Sequence, residues 1–145
     1  MKRFALIITA ALISIACESD NDKVIRFSEL PAQSQQFINT HFSEKQISVI
    51  YYDDDLFDEE YRVIFSDGAK IEFNKKGSWK EIKDKDADGI PQDVIHESIL
   101  SFVRKNHPEN YIVKISKERK EYETELNNTV EIVFDRNGNF KRYDD

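Results

Sequence analysis

The stretch Tyr61-Arg62-Val63-Ile64-Phe65, then Ile71-Glu72-Phe73-Asn74-Lys75-Lys76-Gly77-Ser78-Trp79-Lys80, decides the fold, because the chain repeats it. Gly77 and Gly138 are 61 residues apart, and at that offset Tyr122-Glu123-Thr124-Glu125-Leu126 answers the first run. Ile132-Val133-Phe134-Asp135-Arg136-Asn137-Gly138-Asn139-Phe140-Lys141 answers the second. Within each run apolar residues alternate with polar ones, the signature of a strand with one face on a core. Asp67-Gly68 is a tight-hairpin signal between the first two runs, and Asn127-Asn128 holds its place in the second copy, since Asn also tolerates positive φ. Lys76-Gly77 and Asn137-Gly138 mark the next turns. Trp79 to Ile82 and Phe140 to Tyr143 supply fourth strands, and Ile47 to Tyr52 and Tyr111 to Ile115 supply first ones.

Upstream, Phe37-Ile38-Asn39-Thr40-His41 aligns with Phe102-Val103-Arg104-Lys105-Asn106. Leu30-Pro31 and Ile90-Pro91 are read as the two helix starts, Pro being tolerated in a first turn. Val94, Ile95, Ile99, Phe102 and Val103 give a helical stripe, and His107-Pro108 ends it. The expected class is α+β: tandem α-β-β-β-β units forming an antiparallel sheet with helices packed on one face. The helix-covered face would carry Tyr61, Val63, Phe65, Ile71, Phe73, Tyr122, Leu126, Ile132 and Phe134. The open face would carry Arg62, Ile64, Glu72, Glu123, Glu125, Glu131 and Val133. Each unit alone is near the lower size limit for independent folding, so the two should form one body.

The pattern resembles the PepSY-like family of Bacteroidetes exported proteins, described as β-lactamase-inhibitor-like. Leu30-Pro31, Ile90-Pro91 and the hairpins Phe73 to Trp79 and Phe134 to Phe140 carry the resemblance, which covers roughly Val24 to Tyr143. It implies a two-unit sheet, helices on one face, and a concave open face that in the inhibitor relatives grips a protein. The expected binding residues here are Arg62, Ile64, Glu72, Glu131 and Val133.

The N-terminus accounts for the chain's single cysteine. Met1-Lys2-Arg3 is a basic start, Phe4 to Ala16 is an apolar run too short to span a membrane, and Cys17 follows it. Ser14-Ile15-Ala16-Cys17 resembles the bacterial lipobox, although Ser14 stands where an aliphatic residue is usual. The resemblance implies cleavage before Cys17 and lipidation of Cys17. Acidic Glu18 to Asp22 after it resembles the export signal of Bacteroidetes surface lipoproteins. The expected organisation is a signal peptide over 1–16, a lipid-anchored tether over 17–27, repeat units over 28–83 and 90–145, and an acidic hinge over 84–89. The expected address is the cell envelope, as an outer-membrane lipoprotein.

The net charge is −7, and removing residues 1–16 takes Lys2 and Arg3 and no acid, leaving −9. A field of that sign repels phosphate backbones and argues against nucleic acid. Asp84-Lys85-Asp86-Ala87-Asp88-Gly89 has the alternating carboxylates of a calcium loop, with Asp84, Asp86 and Asp88 as candidate ligands. Ile95 stands where such a loop places its bidentate acid, so Gln92 and Asp93 are alternative oxygen donors, and a solvated hinge is the competing reading. Asp53-Asp54-Asp55 and Asp58-Glu59-Glu60 read as a solvated loop tip. His41, His96 and His107 show no metal spacing, and no serine sits in a nucleophile elbow. These residues point to a non-catalytic envelope module that binds a protein or peptide through its open sheet face or edge. The alternative is a calcium-stabilised structural module of the cell surface.

Overall fold

The computed structural model describes residues 22–54 and 58–144. Cys17 and the signal sequence lie outside the described residues, as do 55–57. One antiparallel sheet runs in chain order from β1 to β9. Its strands are β1 (Asp22–Val24), β2 (Ile47–Asp53), β3 (Glu60–Phe65), β4 (Lys70–Asn74), β5 (Trp79–Lys83), β6 (Ile112–Lys117), β7 (Glu121–Leu126), β8 (Glu131–Asp135) and β9 (Phe140–Asp144). Helix α1 (Ala32–His41) precedes β2, and α2 (Glu97–Asn106) precedes β6. One helix followed by four strands therefore occurs twice, and both halves share one continuous core.

The alternation read in the sequence sets the faces. Val63, Phe65, Ile71, Phe73, Leu126, Ile132 and Phe134 are almost wholly buried, and Tyr61 and Tyr122 pack at the edge of the same cluster. Phe37 of α1 meets Phe73 edge-on at 5.8 Å, and Phe102 of α2 meets Phe134 edge-on at 5.4 Å. Each fully buried ring of this kind contributes about 3 kcal/mol by area.

The hairpins after β4 and β8 have matching chemistry. Asn74 Oδ1 accepts from the amides of Lys76 and Ser78, and Asp135 Oδ1 accepts from those of Asn137 and Asn139. The side-chain oxygen thus supplies the acceptor that the reversing backbone lacks. Each turn then presents a glycine to the start of a helix. A Cβ on Gly77 would stand 2.8 Å from Pro31 Cβ, and one on Gly138 would stand 2.6 Å from His96 Nδ1. Ser34, wholly buried in α1, donates from Oγ to the Gly77 carbonyl at 3.2 Å.

Those contacts correct the expected helix starts. Pro31 does cap α1, but Pro91 precedes a short 3-10 turn over Gln92–Val94, and α2 starts only at Glu97. The residue in Pro31's place is His96, whose Nδ1 accepts from the Ser98 amide at 3.2 Å. A histidine ring can fill the cap that Ser or Asp ordinarily fills, a signal that Pro91 obscured.

Two further expectations change. Residues 17–21 of the expected tether lie outside the described residues, but within its remainder Asp22–Val24 pair with β2 and Ile25 donates its amide to Ile50. Ile25 and Phe27 pack on the core, so the apolar side chains and the open β2 edge hold this segment down. In the hairpin after β7 the positive φ falls on Thr129, at 68°, rather than on Asn127 or Asn128.

Candidate functional site

Both helices cover one face of the sheet, which leaves the other as a continuous surface. The strand register lines up its side chains in two rows. One runs Tyr51, Arg62, Glu72, Glu81, Ser116, Glu123, Val133, Arg142. The other runs Val49, Ile64, Lys70, Lys83, Lys114, Glu125, Glu131, Asp144. Of the expected binding residues, Arg62, Glu72 and Val133 share the first row, and Ile64 and Glu131 share the second. They do not form one compact cluster. β3 and β8 are five strands apart, roughly 24 Å at the usual strand spacing.

Val133 is a correction. It faces the expected side, yet it is only 1% exposed. Its neighbours in the row are Glu123 and Arg142, and long stems of that kind lie over short branched side chains between them. Ile64 is half-buried, and Glu131 is exposed.

Electrostatics divides the face. In the first half the charges are paired apart from Lys83, which has no ion pair among the described residues: Arg62 lies among Asp22, Glu60 and Glu72 at 3.4 to 3.7 Å. Lys70 bonds Glu72 at 2.8 Å and reaches Glu81 at 3.1 Å, and Lys114 also reaches Glu81, at 3.4 Å. Partial burial alone would raise the Glu81 carboxyl. The Lys70 hydrogen bond, the two ammonium charges and a hydrogen bond from Ser116 outweigh it and hold the pKa below the ordinary glutamate value. Lys80 spans Asp58 and Glu60.

In the second half the pairing is thinner. Lys141 and Arg142 both reach Glu121, at 2.6 and 3.5 Å. Among the described residues Glu123, Glu125 and Glu131 form no ion pair. Burial first, and then repulsion from Glu118, Glu121 and Asp144, pushes the Glu123 carboxyl up. These acids line a hollow of about 30 Å³ with Lys114, Val133 and Asp144. That volume is about the share of one water, so the site is a contact surface rather than a small-molecule pocket.

The three hinge carboxylates do not converge in this structure. Asp84 is 3% exposed and turned inward, whereas Asp86 and Asp88 are exposed. Asp84 Oδ1 accepts the Asp86 amide at 3.0 Å, and Lys45 Nζ stands 2.7 Å from Asp84 Oδ2. Lys45 also meets Asp67. Partial burial lowers the Lys45 pKa, but its bonds to Asp67 and Asp84 outweigh that and raise it. The Lys45 ammonium therefore stands beside the one buried carboxylate of the candidate calcium loop. Among the described residues no three of His, Cys, Asp and Glu stand so as to hold a metal ion. Lys45 precedes β2 and Asp84 precedes the second half, so this pair also ties the halves together, as do His41 with Asp93 at 3.1 Å and Lys117 over the Trp79 ring at 5.0 Å. At the opposite end of the strands Lys23 meets Asp54, and Lys75 lies 3.6 Å from Glu59.

Sequence reasoning missed a second hollow, of about 260 Å³, between α2, the hinge and β6. Its walls include Ile95, Leu100, Val103 and Ile112, with Gln92, Arg104 and Tyr111 among the polar residues. The signal was Gln92, which opens its 3-10 turn where Phe27 opens the turn before α1. Phe27 packs on the core, whereas exposed Gln92 accepts from Arg104 at 2.7 Å.

Comparison with known proteins agrees with this architecture. A family model described as beta-lactamase-inhibitor-like, PepSY-like matches residues 59–142. A crystal structure of a periplasmic protein of the DUF2874 family from Bacteroides vulgatus ATCC 8482 is 37% identical, with a TM-score of 0.80 over 88% of this chain and 100% of that one. A Bacteroides thetaiotaomicron protein described as a calcium-regulated periplasmic protein is 35% identical, with a TM-score of 0.81 over the same shares. A second Bacteroides vulgatus structure, a periplasmic protein of unknown function, is 36% identical, with a TM-score of 0.78 over 86% of this chain and 99% of that one. No curated protein matches the sequence. The chain therefore belongs to the PepSY-like, beta-lactamase-inhibitor-like family.

Proposed function

We propose that this protein is a non-catalytic module of the cell envelope that binds a protein or peptide through its open sheet face. It is exported by residues 1–16 and anchored to the outer membrane through lipidated Cys17, and its two α-β-β-β-β halves are copies of one unit. The observation that carries the reading is the uncovered face itself, with Glu123, Glu125 and Glu131 unpaired at its second half. Unpaired charge on a broad surface favours a partner of opposite charge, here a basic segment, and speeds its encounter. The inhibitor-like family description and the periplasmic descriptions of the relatives are consistent with it.

The test is affinity capture from envelope and secreted proteins on the wild-type protein, beside Ile64→Asp combined with Glu131→Lys. One saturable partner, lost in the variant while its circular dichroism is unchanged, supports the reading. Equal capture by the folded variant refutes the open face as the binding surface.

A calcium-stabilised structural module remains the second reading, because a 35% identical relative is described as calcium-regulated and the hinge keeps the Asp84, Asp86, Asp88 spacing. Calcium would have to draw Asp84 away from Lys45. A melting temperature that rises with calcium by mass action supports it, and one indifferent to calcium refutes it.

A further inference from the structure

The two ends of the sheet differ. At one end β1 is three residues long and shields only part of β2. At the other, β9 is five residues long, exposed throughout and, among the described residues, paired on one side alone. Two of the three exposed large apolar side chains of the described residues lie on it, Phe140 at 42% and Tyr143 at 47%. An uncovered edge of this kind is a template for another strand.

The fold already contains the matching joint. β5 occupies in the first half the place of β9 in the second, each being the fourth strand after its helix. The outer edge of β5 is not free. It pairs antiparallel with β6, Glu81 opposite Ser116, Ile82 opposite Ile115 and Lys83 opposite Lys114. The backbone geometry that accepts a strand at β5 is present again at β9, and no strand of the described residues lies on it.

What would cover it follows from its own side chains. Arg142 and Asp144 face the open side with their β8 partners Val133 and Glu131, and Tyr143 faces the helix side with Ile132. If β9 meets a second β9 antiparallel about an axis at Tyr143, Arg142 falls opposite Asp144 of the second copy, and Asp144 opposite its Arg142. The two tyrosines meet between them. Within one chain Arg142 Nε already reaches Asp144 Oδ1 at 3.6 Å, so pairing exchanges the two intrachain contacts of the dimer, one in each copy, for two cross-strand ones. Opposite charges directly across a ladder favour pairing, and a two-fold interface requires this self-complementarity. The β1 edge offers no such match.

We propose that β9 pairs with β9 of a second copy of this chain, joining two nine-stranded sheets into one continuous sheet about a two-fold axis at Tyr143. The joint leaves both open faces uncovered and does not depend on what they bind.

Directly opposed Cβ atoms lie within about 5.5 Å, so cysteines there are close to disulfide range. The test is disulfide trapping in cells expressing the full chain, with the unaltered chain giving the background from Cys17. Tyr143→Cys should give a dimer of this chain on a non-reducing gel, several-fold above Val24→Cys at the opposite edge. Two differently tagged copies, one Arg142→Cys and one Asp144→Cys, should trap each other and report the register without touching Tyr143. Dimer no greater than for Val24→Cys overturns the proposal. So does trapping of Tyr143→Cys to a different protein, which would make β9 a site for a foreign strand. In the Tyr143→Cys chain, Arg142→Asp should lower trapping and adding Asp144→Arg should restore it; no change would refute the register.

Discussion

Gly77 is the position at which the hairpin after β4 is fitted to the start of α1, and the substitution Gly77→Ala separates packing from backbone strain. Its φ is +89°, where an L side chain costs about 1–2 kcal/mol. The new methyl would also stand 2.8 Å from Pro31 Cβ and 2.9 Å from Ser34 Oγ. Ser34 can rotate, at the expense of its bond to the Gly77 carbonyl, but the Pro31 ring cannot. Overpacking of this kind costs roughly 1–3 kcal/mol. Alanine stiffens the unfolded chain, which returns about 0.4–1 kcal/mol. The expected net loss is about 3 kcal/mol. Gly68→Ala is the internal control, because Gly68 also has φ +89° but a Cβ there would meet nothing within 4 Å. It should lose only about 1 kcal/mol, the backbone strain less the unfolded-state gain. Urea unfolding of both variants with unchanged m-values measures the difference. Equal losses would show that the turn is not pressed against the helix and would refute this account of how the halves are built.

Thr129 holds a φ of 68° in the place Gly68 holds in the first half, and a branched side chain is strained there. Thr129→Gly should therefore raise stability by about 0.5–1 kcal/mol, read as a higher urea midpoint; a lower one would mean that the threonine contacts outweigh the strain. Glu81→Gln should cost about 1 kcal/mol at pH 7, the upper end for a solvent-screened ion pair. Because the folded carboxyl titrates below its ordinary 4.5, that stabilisation is present above pH 4.5 and is lost as the pH falls through the folded value, so wild type and variant should converge in acid. Glu123→Gln should do the reverse. The folded Glu123 holds its proton to higher pH, so ionisation penalises the fold increasingly as the pH rises above 4.5. The variant should gain a few tenths of a kcal/mol at neutral pH and nothing well below 4.5, and a gain independent of pH would assign the effect to packing instead.

The hairpin succession of strands within each half and the side each residue faces were legible in the sequence alone, for a simple reason. A strand's side chains alternate with period two, so one buried residue assigns the rest, and Val63, Phe65, Ile71 and Phe73 are enough to place Arg62, Ile64 and Glu72 opposite them. Hairpin chemistry is equally local, since Asn74 and Asp135 act on amides two and four residues away. What depends on packing between distant segments was decided only by the tertiary structure. Pro91 and Pro31 look alike in sequence, but only the approach of Gly138 shows that His96 is the true counterpart of Pro31. Val133 has the right parity for the open face, yet its accessibility depends on how Glu123 and Arg142 lie beside it from two other strands. The hinge spacing carries no information about Lys45, which reaches Asp84 from a segment 39 residues earlier and places a positive charge beside it. Residues 22–24 looked like tether because a three-residue strand has no period of its own, and only the open edge of β2 makes it one.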